Sequence, residues 1–177
     1  MSKSTEKYIP QVVLEDLKNR AFKIWGAVLF LVAAWVFIIL LAPIAKANDL
    51  TSISSPIYGF FSHICHQMPS RSFHMLGHKF AVCSRCFGVY SGLVIGMLAY
   101  PLFRSMEKIE PFPSVWLILS LVPMAIDWSL TFFGIWENTY LTRVTTGLIL
   151  GITCAVYIVP ALVELSQITL LKSHKQT

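Results

Sequence analysis

Charged residues are scarce in this sequence. Only 13% of its 177 residues are Asp, Glu, Lys or Arg, whereas 55% are hydrophobic and the mean hydropathy is +0.65. A soluble domain carries about 25% charged residues, because its surface must be solvated. The scarcity of charge therefore excludes a soluble globular domain and indicates an integral membrane protein.

Several motifs of soluble enzymes and nucleic-acid-binding proteins are missing as well. The sequence has no glycine-rich phosphate-binding loop, no G-x-S-x-G nucleophile elbow, no nucleic-acid-binding motif and no internal repeat. Its formal net charge of +5 comes from basic residues that are scattered among the loops rather than gathered in one stripe. These absences argue against nucleic acid as a partner and leave the lipid bilayer as the partner that the composition implies.

Four apolar runs are long enough to cross about 30 Å of hydrocarbon. They cover approximately residues 24–45, 82–103, 114–133 and 144–165. Each is expected to be helical, because lipid leaves the backbone groups of any other open structure unsatisfied. The sequence therefore predicts an all-α fold, with one domain of four transmembrane helices over residues 24–165.

The segments outside these spans are shorter or more polar. Residues 1–23 are predicted as a cytoplasmic segment, either a short amphipathic helix at the membrane surface or a solvated tail, and residues 166–177 as a cytoplasmic tail. Residues 57–64 are apolar and aromatic, follow a polar linker, and are too few to span the membrane. We expect them to form an interfacial or re-entrant helix before the second span.

Lysine and arginine are unevenly divided between the two ends of the predicted bundle. One end carries nine, namely Lys3, Lys7, Lys18, Arg20, Lys23, Arg104, Lys108, Lys172 and Lys175, and the other carries five, namely Lys46, Arg71, Lys79, Arg85 and Arg143. Cytoplasmic loops are enriched in these residues. The count therefore predicts a protein of the cell (inner) membrane with both termini in the cytoplasm and residues 63–92 on the extracytoplasmic side.

Cysteine is rare, but three of the four cysteines and four of the five histidines lie within residues 63–92. Cys83 and Cys86 form a C-x-x-C pair at the start of the second predicted span. A helix that begins there holds both sulfurs on one face above the free N–H groups of its first turn. The helix dipole and Arg85 both favour the thiolate form, which binds metals and attacks disulfides.

Two chemistries fit these cysteines. In the first, Cys65, Cys83, Cys86 and His66 form a tetrahedral site for zinc or another thiophilic metal ion. In the second, Cys83 and Cys86 form a redox pair that exchanges with Cys65. Cys154 has no polar neighbour and is typical of a small apolar filler in a membrane helix.

The residues of this segment resemble the signature of a known family. They are Cys65-His66-Gln67, Arg71-Ser72-Phe73, Gly77 and Cys83-x-Arg85-Cys86-x-Gly88-x-Tyr90-x-Gly92, followed by Asp127, Arg143, Gly147 and Gly151. This pattern, over about residues 60–152, resembles domain of unknown function 2085, a family of bacterial and archaeal membrane proteins. The resemblance implies a multi-span protein with no assigned reaction. One departure is Phe87, where the family pattern leads us to expect a small polar residue.

Asp127 lies inside the third apolar run, near its extracytoplasmic end. An ionisable residue at that depth costs several kcal/mol unless it is paired or hydrated, and it is therefore a candidate functional residue. We expect it to reach either the cysteines or Arg143, which begins the fourth run on the same side. Asp127 would act as a general base or as an orienting residue, while Arg71 and Arg143 would bind an anionic head group.

Glycines recur at every fourth position in two of the runs. Gly88, Gly92 and Gly96 lie in the second run, and Gly147 and Gly151 lie in the fourth. Small residues at this spacing allow two membrane helices to approach closely. The second and fourth spans are therefore expected to touch.

Three functions are compatible with these features. The leading hypothesis is a metal-thiolate membrane protein with an extracytoplasmic site, acting on a lipid-like or lipid-linked anionic substrate. The first alternative is a thiol-disulfide oxidoreductase coupled to quinone. The second alternative is a non-enzymatic subunit of a larger membrane complex or a homo-oligomer, in which Asp127 and Arg143 form a structural pair. The sequence leaves open whether the chain is an enzyme.

Overall fold

The computed structural model describes the backbone of residues 11–105 and 112–174, and the side chains of residues 15–105 and 112–165. A short 3₁₀ helix covers Pro69–Arg71. The α-helices of these ranges are α1 (Gln11–Ala47), α2 (Thr51–Ser62), α3 (Ser84–Phe103), α4 (Val115–Phe132) and α5 (Tyr140–His174). All except α2 contain a segment long and apolar enough to cross a membrane. The predicted all-α bundle of four transmembrane helices with a short helix before the second span is thus confirmed.

The first and last helices are longer than the apolar runs that predict them. Helix α1 begins at Gln11, so that residues 11–23 and the first span form one helix, and residues 1–10 lie outside the described part of the chain. No proline or glycine interrupts residues 11–23, and several of them are strong helix formers. Helix α5 likewise continues to His174, past the predicted boundary at residue 165.

Helix α2 begins at Thr51, inside the stretch that is predicted as a polar linker. Its Ser54 and Phe61 are buried, and Trp35 of α1 packs edge-on against Phe61, with ring centroids 5.1 Å apart. Packing against a neighbouring helix outweighs the weak helix propensity of serine and threonine. This contact explains why the helix includes residues that favour a loop in isolation.

Helices α3 and α5 are in backbone contact through their glycines. A Cβ atom added at Gly92 would lie 2.5 Å from the Leu148 carbonyl oxygen, and one added at Gly96 would lie 2.7 Å from the Ala155 Cβ. Such distances are too short for any side chain, so the expected contact between the second and fourth spans is confirmed. Helix α4 packs mainly on α5 and is largely exposed, with Ser120 as its buried residue.

The segment between α2 and α3 folds into a short hairpin. Strand β1 (His74–Met75) pairs antiparallel with β2 (His78–Lys79). The two turn residues, Leu76 and Gly77, have φ angles of +53° and +77°, as a type I′ turn requires. The hairpin contacts α1 and leads the chain back to the start of α3.

A buried cluster anchors this loop on the end of the bundle. Its members are Ile39, Ala42, Phe61, Cys65, Phe80, Ala81 and Val82. They come from α1, α2 and the residues that precede α3. The cluster places Cys65 beside the first turn of α3.

Candidate functional site

Three cysteines meet where α2, the hairpin loop and α3 come together. The Sγ atoms of Cys65, Cys83 and Cys86 lie within 4.8 Å of one another. Cys83 is the residue that precedes α3, and Cys86 lies in the first turn of that helix. The spacing in the sequence therefore predicts this group correctly.

The surroundings of Cys65 favour its thiolate form. The Cys83 backbone N–H donates a hydrogen bond to the Cys65 sulfur at 3.2 Å. Hydrogen bonds from the Cys83 and Cys86 side chains, and then from the Gln67 and Cys83 backbone, hold the pKa of Cys65 far below its ordinary value, although burial acts in the opposite direction. A thiolate is the form of cysteine that binds a metal ion.

His66 lies beside this group but not within it. Its side chain is exposed, and it lines the same cavity as the cysteines, but its ring nitrogens are not among the ligand atoms that lie within 4.8 Å of one another. His63 forms a hydrogen bond between its Nδ1 and the Gly59 carbonyl oxygen at 2.9 Å, and His74 and His78 belong to the hairpin. In the part of the chain that the structure describes, the sulfur group therefore contains no imidazole.

Asp127 pairs with Arg85, which is a different arginine from the one that the sequence suggests. Arg85 donates to the Asp127 carboxylate, and the side chains retain 20% and 11% exposure. The expected direct pair with Arg143 is replaced by a bridge through Asn138. The Asn138 amide donates to Asp127 at 2.9 Å and accepts from the Arg143 Nε at 2.6 Å.

The choice of partner follows from the positions of the helices. Arg85 lies in the first turn of α3, which faces Asp127 of α4, whereas Arg143 reaches the same carboxylate only through the loop residue Asn138. The result is a chain of hydrogen bonds from α3 through α4 to α5. It fixes the side chain of Arg143, which is only 8% exposed.

A cavity of about 410 Å³ joins the sulfur group to these arginines. The residues that line it are Ile64, Cys65, His66, Gln67, Met68, Arg71, Cys83, Arg85, Cys86, Trp128 and Arg143. The structure thus places every residue that the sequence selects either in the wall of this cavity or, for Asp127, one hydrogen bond behind it. Their roles as ligands or catalytic residues stay predictions.

Asn138 and Gln67 contribute to the site, although neither is among the candidate catalytic or metal-binding residues that the sequence predicts. Gln67 has a φ angle of +47°, and its side chain donates to the Tyr58 carbonyl oxygen at 2.8 Å. The Lys79 ammonium donates to the Gln67 carbonyl oxygen at 2.7 Å. These contacts hold the chain on the C-terminal side of His66. An asparagine in the short loop between two spans is a weak signal, because such loops commonly contain asparagine as a turn residue.

Phe87, the departure from the family pattern, points into an aromatic cluster. Its ring centroid lies 5.2 Å from that of Phe80 and 6.0 Å from that of Phe73. Phe87 is not among the residues that line the cavity. The presence of phenylalanine instead of a small polar residue at this position therefore affects the packing of the hairpin on α3.

Comparisons with known proteins agree with this architecture. Residues 65–157 match the family described as predicted membrane protein (DUF2085). The chain is 42% identical to the uncharacterized protein MJ1492 of Methanocaldococcus jannaschii over 120 residues, which cover 67% of this chain and 76% of that protein. It is 36% identical to an uncharacterized protein of Methanothermobacter thermautotrophicus over 98 residues, covering 54% of this chain and 85% of that protein. No solved structure matches the chain.

The matched stretch contains the whole candidate site. It begins at Cys65 and extends past Arg143, so it includes the three cysteines, the arginines that line the cavity, Asp127 and Asn138. It also covers just over half of the chain. The chain therefore belongs to the DUF2085 family of membrane proteins.

Proposed function

We propose that this protein is a metal-thiolate membrane protein in which Cys65, Cys83 and Cys86 bind zinc or another thiophilic metal ion. The observation that carries the proposal is the separation of at most 4.8 Å between their sulfurs. In a tetrahedral zinc site with Zn–S bonds of about 2.3 Å, the sulfurs are about 3.8 Å apart. Shifts of about 1 Å or less would close the group around an ion.

His66 is the protein's own candidate for a fourth ligand. It follows Cys65 in the chain and lies in the wall of the same cavity. Its exposed side chain would have to turn toward the sulfurs. A site closed by His66 would be structural, because zinc sites that act in catalysis keep one position for water or substrate.

The arginines support an anionic substrate. Arg71 and Arg143 line the cavity together with Arg85, and guanidinium groups bind phosphate and carboxylate through paired hydrogen bonds. Because the cavity lies at one end of a membrane bundle, we propose that the substrate is lipid-like or lipid-linked and that Arg71 and Arg143 bind its head group. The chain would then act as an enzyme on this substrate.

Asp127 would serve as an orienting residue in this proposal. Its carboxylate already accepts hydrogen bonds from Arg85 and Asn138. Both donors contact the same oxygen, Oδ2, and Asp127 is not among the residues that line the cavity. The contacts of Asp127 therefore support orientation of the arginines rather than the general-base role that the sequence also allows.

The same proposal includes the location of the site. The excess of Lys and Arg at the opposite end of the bundle supports an extracytoplasmic cavity, with both termini in the cytoplasm and the bundle in the cell (inner) membrane.

Elemental analysis of protein purified without chelators tests the metal site. We expect about one ion per chain in the unaltered protein, and a loss of most of it when Cys65, Cys83 or Cys86 is changed to serine, because each change removes one ligand. Cys154→Ser is the matched control, since Cys154 lies in α5 and outside the sulfur group. It should retain the ion.

A count of free thiols on the same samples identifies the main competing function. Metal-free protein with a disulfide between Cys83 and Cys86 would contradict the proposal and favour a thiol-disulfide oxidoreductase, for which the sulfurs are also close enough to exchange. Metal-free protein with all thiols reduced after anaerobic purification would contradict both functions and favour an accessory subunit.

A further inference from the structure

The three sulfurs supply only three of the four positions of a tetrahedral metal site. Cys65 and Gln67 are 6% and 7% exposed, whereas His66 between them is exposed. The backbone on both sides of His66 is held by the buried side chains of its neighbours and by the Gln67 hydrogen bonds to Tyr58 and Lys79. Cys65 thus contributes its sulfur to the group of three, whereas the exposed His66 side chain lies in the cavity wall and outside that group.

The cysteines also form part of the cavity wall, together with the arginines. A buried water needs about 10–15 Å³ of such space, so a cavity of about 410 Å³ has room for a ligand of several non-hydrogen atoms. A metal ion held by these sulfurs would therefore have a ligand-sized space beside it. This arrangement is typical of sites with an exchangeable fourth ligand rather than of closed structural sites.

The charges around the cavity determine the kind of ligand. Three guanidinium groups line it, and Asp127 neutralises one of them. Within the described residues, no carboxylate pairs directly with Arg71 or Arg143. A divalent ion with three thiolates carries one negative charge, so the metal-filled site would retain one positive charge. One monoanion would make it neutral, which matters where the dielectric constant is low.

Arg143 is positioned to hold such an anion. Its Nε and one terminal nitrogen, Nη2, donate to Asn138, which fixes the plane of the guanidinium and leaves Nη1 for a ligand. Arg71 lines the same cavity with an exposed side chain. Two guanidinium groups next to a metal ion match an oxyanion whose oxygens are shared between them.

We propose that the fourth metal position opens into the cavity and binds an oxygen of a monoanionic phosphodiester, with Arg71 and Arg143 holding the other phosphate oxygen. This inference rests on the proposed metal site and specifies the chemical class of its ligand. The phosphodiester can come from a phospholipid head group or from a soluble molecule.

Visible absorption of the cobalt(II)-loaded protein in dodecyl maltoside tests this, because the spectrum responds to the ligands of the ion. Addition of dimethyl phosphate, a monoanionic diester, should change the spectrum in a saturable way, whereas the neutral trimethyl phosphate should not. Arg71→Gln should weaken the response about tenfold or more, since a charge-assisted hydrogen bond is lost. Arg104→Gln removes the same charge at the opposite end of α3 and should leave the response unchanged.

Mixed micelles distinguish the two sources of the phosphodiester. Phosphatidylglycerol should produce the same spectral change as dimethyl phosphate if the ligand is a lipid head group, with diacylglycerol as the uncharged control. A response to dimethyl phosphate but not to phosphatidylglycerol would support the inference with a soluble ligand.

The metal content of the same samples separates failure of this inference from failure of the proposed function. A protein that binds no cobalt would overturn both. A protein that binds cobalt with a spectrum insensitive to dimethyl phosphate would overturn the open position alone. A change in the spectrum of His66→Ala in the absence of anions would also overturn the open position, because His66 would then occupy it.

Discussion

Arg85 lies between the two cysteines of the C-x-x-C pair and forms an ion pair with Asp127 of α4. Its Nε atom is buried and has no hydrogen-bond partner among the described residues. Asp127 therefore provides the compensation for the charge of Arg85, and Asn138 joins the pair to Arg143.

Replacement of Asp127 by asparagine should destabilise the protein more than it affects metal binding. The change leaves Arg85 without its counter-charge, and because both side chains retain some exposure we expect a loss of about 2–4 kcal/mol in the free energy of unfolding. Reversible unfolding in mixed detergent micelles would measure this loss. Glu137→Gln is the control, since it removes an exposed carboxylate from the neighbouring loop and should cost less than about 0.5 kcal/mol.

Equal stability of Asp127→Asn and the unaltered protein would show that the ion pair contributes nothing to the fold. A loss of metal in Asp127→Asn, with the unfolding free energy unchanged, would instead connect Asp127 to the sulfur group rather than to the arginines.

The partner of Asp127 shows where prediction from the sequence reaches its limit. The cost of burying a carboxylate predicts that a cation lies nearby, and this is what the structure shows. This cost does not predict which arginine pairs with Asp127, because Arg85 and Arg143 both begin spans on the same side. The rotations of α3 and α4 about their axes decide between them, and the packing of both helices on α5, not a local pattern, sets these rotations.

Helices α3 and α5 carry the two parts of the site, the C-x-x-C cysteines and Arg143. The cysteines of the C-x-x-C pair are at the start of α3, and Arg143 is near the start of α5. The glycine contact between the helices therefore fixes the distance from the sulfurs to the arginine.

Replacement of Gly151 by alanine should push the two helices apart. Its added Cβ would meet the Val89 carbonyl oxygen and lie 2.9 Å from the Leu93 backbone nitrogen, and neither atom can move independently of its helix. We expect a loss of about 1–3 kcal/mol, the usual cost of overpacking. The midpoint of thermal unfolding in one detergent would report it.

Gly26→Ala is the matched control in another membrane helix, because among the described residues a Cβ at that position has no neighbour within 4 Å other than the backbone of its own helix. Its midpoint should stay the same or rise slightly. Equal decreases for the two variants would mean that the contact between α3 and α5 does not depend on glycine.

For the helices, the sequence predicts contacts better than it predicts helix ends. The four-residue spacing of small residues is a local property that directly determines which helix faces can meet, and that contact is confirmed. The ends of α1, α2 and α5 differ from the hydropathy boundaries, because a helix continues past an apolar run, or through serine-rich sequence, wherever packing and propensity allow.

The molecule as a whole has its cavity at one end of the bundle, and its orientation in the membrane is a further prediction. Cysteine introduced at Asn48, in the turn between α1 and α2, should react with a membrane-impermeant thiol reagent in intact cells. Cysteine introduced at the exposed Ser105, after α3, should react only after permeabilisation. Both signals are taken relative to the unaltered chain, and the reverse pattern would place the cavity in the cytoplasm.

The three sulfurs come from residues that precede or begin α3, whereas the wall of the cavity also includes Trp128 of α4 and Arg143 of α5. All three cysteines have been synthesised once the chain reaches Cys86, but Arg143 follows 57 residues later. At ribosomal rates this interval is roughly 3–11 s. During biogenesis the sulfurs would thus be available to capture an ion before α4 and α5 enter the membrane, and these last two helices would close the pocket around a centre that is already loaded.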